Sequence, residues 1–173
     1  MADSHGLYQR TVIEHNRSPR NFRRLCGCSA EARGHSPLCG DDLTIQIRVD
    51  GGCIAEAAFQ GDACAVATAS ASLLTEAVRD LPVETALQLI NTICALVDNP
   101  ELVAELDAAD SELRVLAALH DYPTRHACAR LPWLALDTAL RASLGRAAAA
   151  LPGADAGLEI TLASSTNAED PAS

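Results

Sequence analysis

"LTIQIRVDGGCIAEAAF", residues 43–59, alternates strictly over its first seven positions, with Leu43, Ile45, Ile47 and Val49 on one face and Thr44, Gln46 and Arg48 on the other. Alternation of this kind is the pattern of a strand buried on one side, and "DGG" at 50–52 is a tight turn into a second strand. The stretch is therefore a β-hairpin. "CSAEARG", residues 28–34, adds a third strand ahead of it. A sheet this small is not stable alone and needs helices on one face.

The helices follow. Past Gly61 the pattern turns helical in "ACAVATASASLLTEAVRD", residues 63–80, whose small side chains suit close packing against the sheet. Pro82 stands where a first-turn proline belongs, and Ala86, Leu89, Ile90, Ile93 and Val97 then form one apolar stripe. "SELRVLAALH" at 111–120 and "ARLPWLALDTALRASL" at 129–144 read as two more helices, the second closed by Gly145. Ahead of the sheet, Leu7, Tyr8, Val12 and His15 recur at helical spacing until "RSPRNF" breaks the pattern at Pro19. The expected fold is α+β: a small three-stranded antiparallel sheet packed against several α-helices. Residues 1–150 form a single domain, and the Ala, Ser, Asp and Pro content of 151–173 predicts a flexible C-terminal tail.

Composition narrows the function. The 173 residues suffice to bury roughly 70% of the unfolded surface. With 23 acids against 13 bases the formal charge is -10, which opposes binding to nucleic acid or anionic lipid. Every base is arginine, so there is no lysine for a Schiff base to pyridoxal phosphate or for a phosphate-binding P-loop. No apolar run reaches membrane-spanning length and "MADSHGLYQR" has no signal-peptide core, so a cytoplasmic protein away from membranes is expected. In that compartment seven cysteines are thiols or metal ligands, since an odd number cannot all pair within one chain.

Three cysteines stand where structure changes type. Cys39 lies in the loop before the hairpin, Cys64 opens a helix, and Cys128 follows "YPTRHA" where a helix resumes. A helix start favours the thiolate of Cys64 over its thiol. The separations are far longer than those of a zinc finger and no C-x-x-C pair occurs, so spacing alone does not identify a site. The other thiols read differently. Cys94 lies on the apolar helical stripe and Cys53 shares a strand face with Ala55, Ala57 and Phe59, so both read as core. Cys26 and Cys28 form an isolated C-x-C whose role stays open. His15, His120 and Trp133 read as structural side chains.

The flanks carry more information. "NRSPRNF", "SPLCGDDLTIQIRVDG", "FQGDACAVATASASLLTEAV" and "YPTRHACARLPWLAL" together resemble the SufU/IscU family of iron-sulfur assembly proteins, in the same order, across 7–144. The scaffold branch carries histidine immediately before the third cysteine, where this chain has Ala127, and its segment between the second and third cysteines is shorter. Both differences resemble the SufU branch. His126 stands one position too early to be a ligand by analogy.

The resemblance implies a Zn²⁺ site of Cys39, Asp41, Cys64 and Cys128, with Cys39 as sulfur acceptor and Arg125 offsetting the negative charge of the shell. Three thiolates and one harder carboxylate oxygen form a closed shell that opens more readily than four cysteines. The implied role is zinc-dependent sulfur acceptance from a SufS-type cysteine desulfurase, with delivery to a downstream iron-sulfur scaffold. The competing role is a non-enzymatic scaffold that builds a [2Fe-2S] cluster in the same pocket.

Overall fold

The computed structural model describes residues 4–147, 151–153 and 157–163. Helix α1 (Ser4–Arg17) leads into strands β1 (Ala30–Ser36), β2 (Asp41–Asp50) and β3 (Cys53–Asp62). Helices α2 (Ala65–Ala77), α3 (Val83–Leu96) and α4 (His126–Ser143) follow, and strand β4 (Glu159–Leu162) closes the described chain. Between α3 and α4 run 3-10 segments at Pro100–Glu105, Ala108–Asp121 and Pro123–Arg125.

The hairpin forms where the alternation places it. Asp50 pairs with Cys53 around Gly51 and Gly52, both at positive φ, the primed turn whose twist suits two-residue hairpins. Leu43, Ile45 and Ile47 face the core. Helices α2 and α4 pack with them there, centred on Trp133, which is fully buried and donates from Nε1 to Ser70 Oγ at 2.9 Å. Ala67, Ala71 and Ser72 on α2 are also buried, and these short side chains let neighbouring helices approach closely.

The sheet has four strands, in the order β3-β2-β1-β4, where three were expected. The fourth lies in the stretch expected to be a loose tail: Glu159–Leu162 pairs antiparallel with β1, from Ala32 opposite Leu162 to His35 opposite Glu159. Ile160 fills the gap left by Gly34, where Leu131 also packs. The rest of 151–173, apart from 151–153, 157, 158 and 163, lies outside the described residues.

Three local readings change. The ladder slips between Arg48 and Val49, leaving Ala55 without a partner, so Ile54 takes the buried position and Cys53 is only partly buried. A one-residue bulge reverses the faces of everything before it. Pro82 caps α3 from outside, with ψ at 140°, instead of occupying its first turn. The stretch 111–120 is 3-10, although Leu113, Val115, Leu116 and Leu119 point inward as its periodicity requires. At the far end of α4, Gly145 at φ +66° completes a Schellman closure, with Arg146 N bonded to Arg141 O and Gly145 N to Ala142 O.

The segment after α1 is tied onto α2 by a buried polar network. Ser72 Oγ accepts from Arg20 N at 2.8 Å and shares a hydrogen bond with His15 Nδ1 at 2.7 Å, while Asn21 Nδ2 donates to Thr75 Oγ1. Burial, helped by the Arg20 charge, holds the His15 pKa below its ordinary value. The unfolded imidazole therefore takes up a proton more readily than the folded one. This contribution to stability is present above about pH 6.5 and is lost as pH falls from there through the folded value. Thermal unfolding followed by circular dichroism should show a smaller fall in midpoint between pH 7 and 5 for His15→Gln than for the parent. Parallel pH profiles would show that His15 does not titrate with unfolding.

Candidate metal centre

Ser36 pairs with Asp41 across a four-residue connection between β1 and β2, which puts Cys39 at the tip. The loop is held from inside: Cys39 N donates to Ser36 Oγ at 3.4 Å, and Gly40 N to Ser36 O at 2.8 Å. Gly40 takes φ +72°, the left-handed turn that lets Cys39 and Asp41 address the same space. His35 Nδ1 donates to the Asp41 carbonyl at 3.1 Å and braces the start of β2. His35 and Ser36 have no place in the sequence reading, although a serine three residues before Cys39 is itself a turn signal.

Asp41 is 1% exposed. Its Oδ1 accepts the Cys64 backbone N–H at 2.7 Å, and its buried Oδ2 has no hydrogen-bond partner. A buried carboxylate oxygen without a donor is costly, and a cation is the natural means of satisfying it. The donor atoms of Cys39, Asp41 and Cys128 lie within 4.8 Å of one another, with the sulfurs of Cys39 and Cys128 at 3.3 Å. This arrangement fits a thiophilic cation.

Cys64 is the N-cap of α2, and its sulfur accepts from Ala67 N at 3.4 Å. The Cys64 sulfur stands outside the 4.8 Å group, although its backbone is bonded to Asp41. Its pKa is lowered to about 6, chiefly by a hydrogen bond with Cys128, against burial and aided by the Ala67 N–H. Cys128, fully buried in the first turn of α4, is pushed up by Cys64, by burial and by Cys39. The hydrogen bond that couples the two thiols favours the charged form of Cys64 and the neutral form of Cys128.

Arg125 immediately precedes α4 and is exposed. Its guanidinium is raised above its ordinary value by a hydrogen bond to Cys128 and then by the charges of Cys64 and Cys128. Tyr8, stacked on Tyr122 at 5.8 Å, lies close enough to feel Arg125, Cys64 and Cys128, a proximity that no motif announces. His126 turns away: Nδ1 meets Asp98 Oδ1 at 3.1 Å and Nε2 meets the Leu119 carbonyl at 2.8 Å, so neither nitrogen is available to a metal. Cys94 is buried, and burial pushes its thiol up to about 12. Cys26 and Cys28 lie in the loop before β1, outside this cluster.

Comparison with known proteins agrees with this architecture. The chain is 30% identical over 131 residues to the zinc-dependent sulfurtransferase SufU of Bacillus subtilis, covering 76% of this chain and 87% of that protein. It is 33% identical over 137 residues to the iron-sulfur cluster assembly scaffold protein IscU of Streptococcus pyogenes, covering 79% and 84%. Among solved structures, the N-terminal part of a nitrogen-fixing NifU-like protein from Brucella abortus superposes with a TM-score of 0.71 at 20% identity, covering 82% of this chain and 96% of that one. The profile of the NifU-like N-terminal domain matches residues 7–129, which include Cys39, Asp41 and Cys128, and the chain belongs to that family.

Proposed function

We propose that this protein is a zinc-dependent sulfur acceptor in cytoplasmic iron-sulfur cluster assembly. It takes persulfide sulfur from a SufS-type cysteine desulfurase and passes it towards a scaffold. The observation that carries the reading is the meeting of Cys39, Asp41 and Cys128 around a buried carboxylate oxygen that lacks a partner. The named activity of the Bacillus relative supports it.

Cys39, Asp41 and Cys128 would hold the ion, with Cys64 as the fourth ligand. Bound zinc supplies charge that keeps thiols deprotonated at neutral pH. Cys39 is exposed beside Leu38, itself 92% exposed, so a partner's persulfide can reach it. Cys64 and Cys128 are held at helix starts and move less. The Cys39 thiolate attacks the outer sulfur of the partner's persulfide. The sulfur–sulfur bond there breaks, its electron pair leaves on the partner's cysteine, and Cys39 retains the transferred sulfur as a persulfide. Arg125 faces the thiol cluster and offsets its negative charge. With no lysine in the chain, pyridoxal chemistry belongs to the desulfurase.

After incubation with desulfurase and cysteine, peptide mass spectrometry should find the added sulfur on the peptide containing Cys39. Cys39→Ser should accept none and should lose all stimulation of the desulfurase. Sulfur confined to Cys64 or Cys128, with Cys39→Ser fully active, would overturn the assignment. A cluster transferred intact to an apo-ferredoxin without desulfurase stimulation would select the [2Fe-2S] scaffold role instead.

A further inference from the structure

Asp98, just beyond the end of α3, reaches two side chains of the first turns of α4. Its Oδ1 meets His126 Nδ1 at 3.1 Å, and its Oδ2 accepts from Arg130 Nη2. Arg130 is 5% exposed and also donates from Nε to the Cys94 carbonyl of α3 at 2.8 Å. On the other side of the guanidinium lies Gly153, where a Cβ would stand 2.5 Å from Nη1. His126 completes the grip by reaching the Leu119 carbonyl.

Residues 126 and 130 are four apart and share one helix face, whereas Cys128, two along, points roughly 200° round the axis. The grip therefore holds the reverse of the turn whose front carries the Cys128 sulfur. Rotation of that turn about its axis is what aims the sulfur, and two fixed points on the back remove that freedom. The helix's own ladder is weaker here, because Pro132 has no N–H to offer the Cys128 carbonyl.

We propose that Asp98 is a positioning residue for Cys128, acting through His126 and Arg130 to fix the sulfur for metal binding. This rests on the reading of Cys128 as a ligand. Asp98→Asn keeps the shape but removes the negative charge that holds the Arg130 guanidinium and faces His126. Partners behind a metal ligand commonly account for 10- to 100-fold in affinity. The variant should bind zinc about 10-fold or more weakly in competition with a chromophoric chelator. Its cobalt-substituted form should show a weaker thiolate-to-metal charge-transfer band. Ile90→Val, which loosens the core of α3 without touching the grip, should change neither reading.

Parental affinity and cobalt spectrum in Asp98→Asn, whatever its melting point, would overturn the proposal and leave Asp98 as a structural fastener. Should that variant not fold, His126→Gln removes one arm only and is judged by the same two readings. A parent that binds neither zinc nor cobalt would defeat the metal-site reading and the positioning role with it. Binding by the parent with unaltered variants defeats the positioning role alone.

Discussion

Gly61→Ala is expected to lower the midpoint of thermal unfolding by about 6 to 12 °C, corresponding to about 3 kcal/mol in a chain of this size. Gly61 pairs with Leu43 and takes φ +137°, a region closed to side chains. A Cβ there would stand 2.1 Å from the Asp42 carbonyl oxygen and 2.6 Å from the Leu43 Cα. Both obstacles are backbone, so no side chain can swing aside. Strain at such a conformation and forced overpacking each cost about 1 to 3 kcal/mol. Relief requires β2 and β3 to part at the end where Asp41 and Cys64 sit, so bound zinc should fall together with the midpoint. Circular dichroism melts with metal analysis on one preparation test both. A parental melt would show that the strand ends separate freely.

If zinc occupies the site as proposed, stripping it with a strong chelator should have an effect of similar or larger size. Zinc contributes about 10 to 16 kcal/mol to the folding of small zinc modules. In this chain the sheet and helices already hold the ligand segments together, so only part of that free energy is coupled to folding. A third of it, about 4 kcal/mol, corresponds to about 8 to 16 °C in the melting midpoint. Limited proteolysis should then cut first in the loop at 37–40, whose anchor Asp41 loses its counter-charge, and desulfurase stimulation should disappear. Identical cleavage patterns and stimulation with and without chelator would make the ion dispensable.

The hairpin could be read directly because its alternation, its glycine turn and its apolar face all agree. The stripe of α3 and the closure at Gly145 were equally open, each resting on local chemistry. The bulge at Ala55 was not, because "CIAEAAF" fits either register until the core selects Ile54 over Cys53. Strand β4 was hidden by composition: Leu158, Ile160 and Leu162 alternate, but over too few residues to stand out in an Ala- and Ser-rich stretch. At the centre, the flanks of Cys39, Asp41 and Cys128 pointed to segments that do converge. No pattern showed that Cys64 would stand outside the tightest group, since that depends on which hydrogen bond its sulfur prefers. Asp98 could not be found from sequence either, because an aspartate after a helix is ordinarily solvated and its two partners lie about thirty residues away.

The position of β4 bears on which backbone edges of the sheet are open to other chains. An unpaired strand margin offers a row of free amides and carbonyls on which another chain can add itself. On the outer side of β3, Asn21 and Arg23 bond to Phe59, and Asp80 and Leu81 bond to Ile54. That margin is stopped at both ends. On the opposite side, among the described residues, β1 is covered by Glu159–Leu162 and by the Ala163 N–H bonded to the Glu31 carbonyl, a stretch beyond the span shared with the family profile. Strand β4 thus works as a hem: it takes up amides and carbonyls of the β1 margin on which another chain could otherwise add itself.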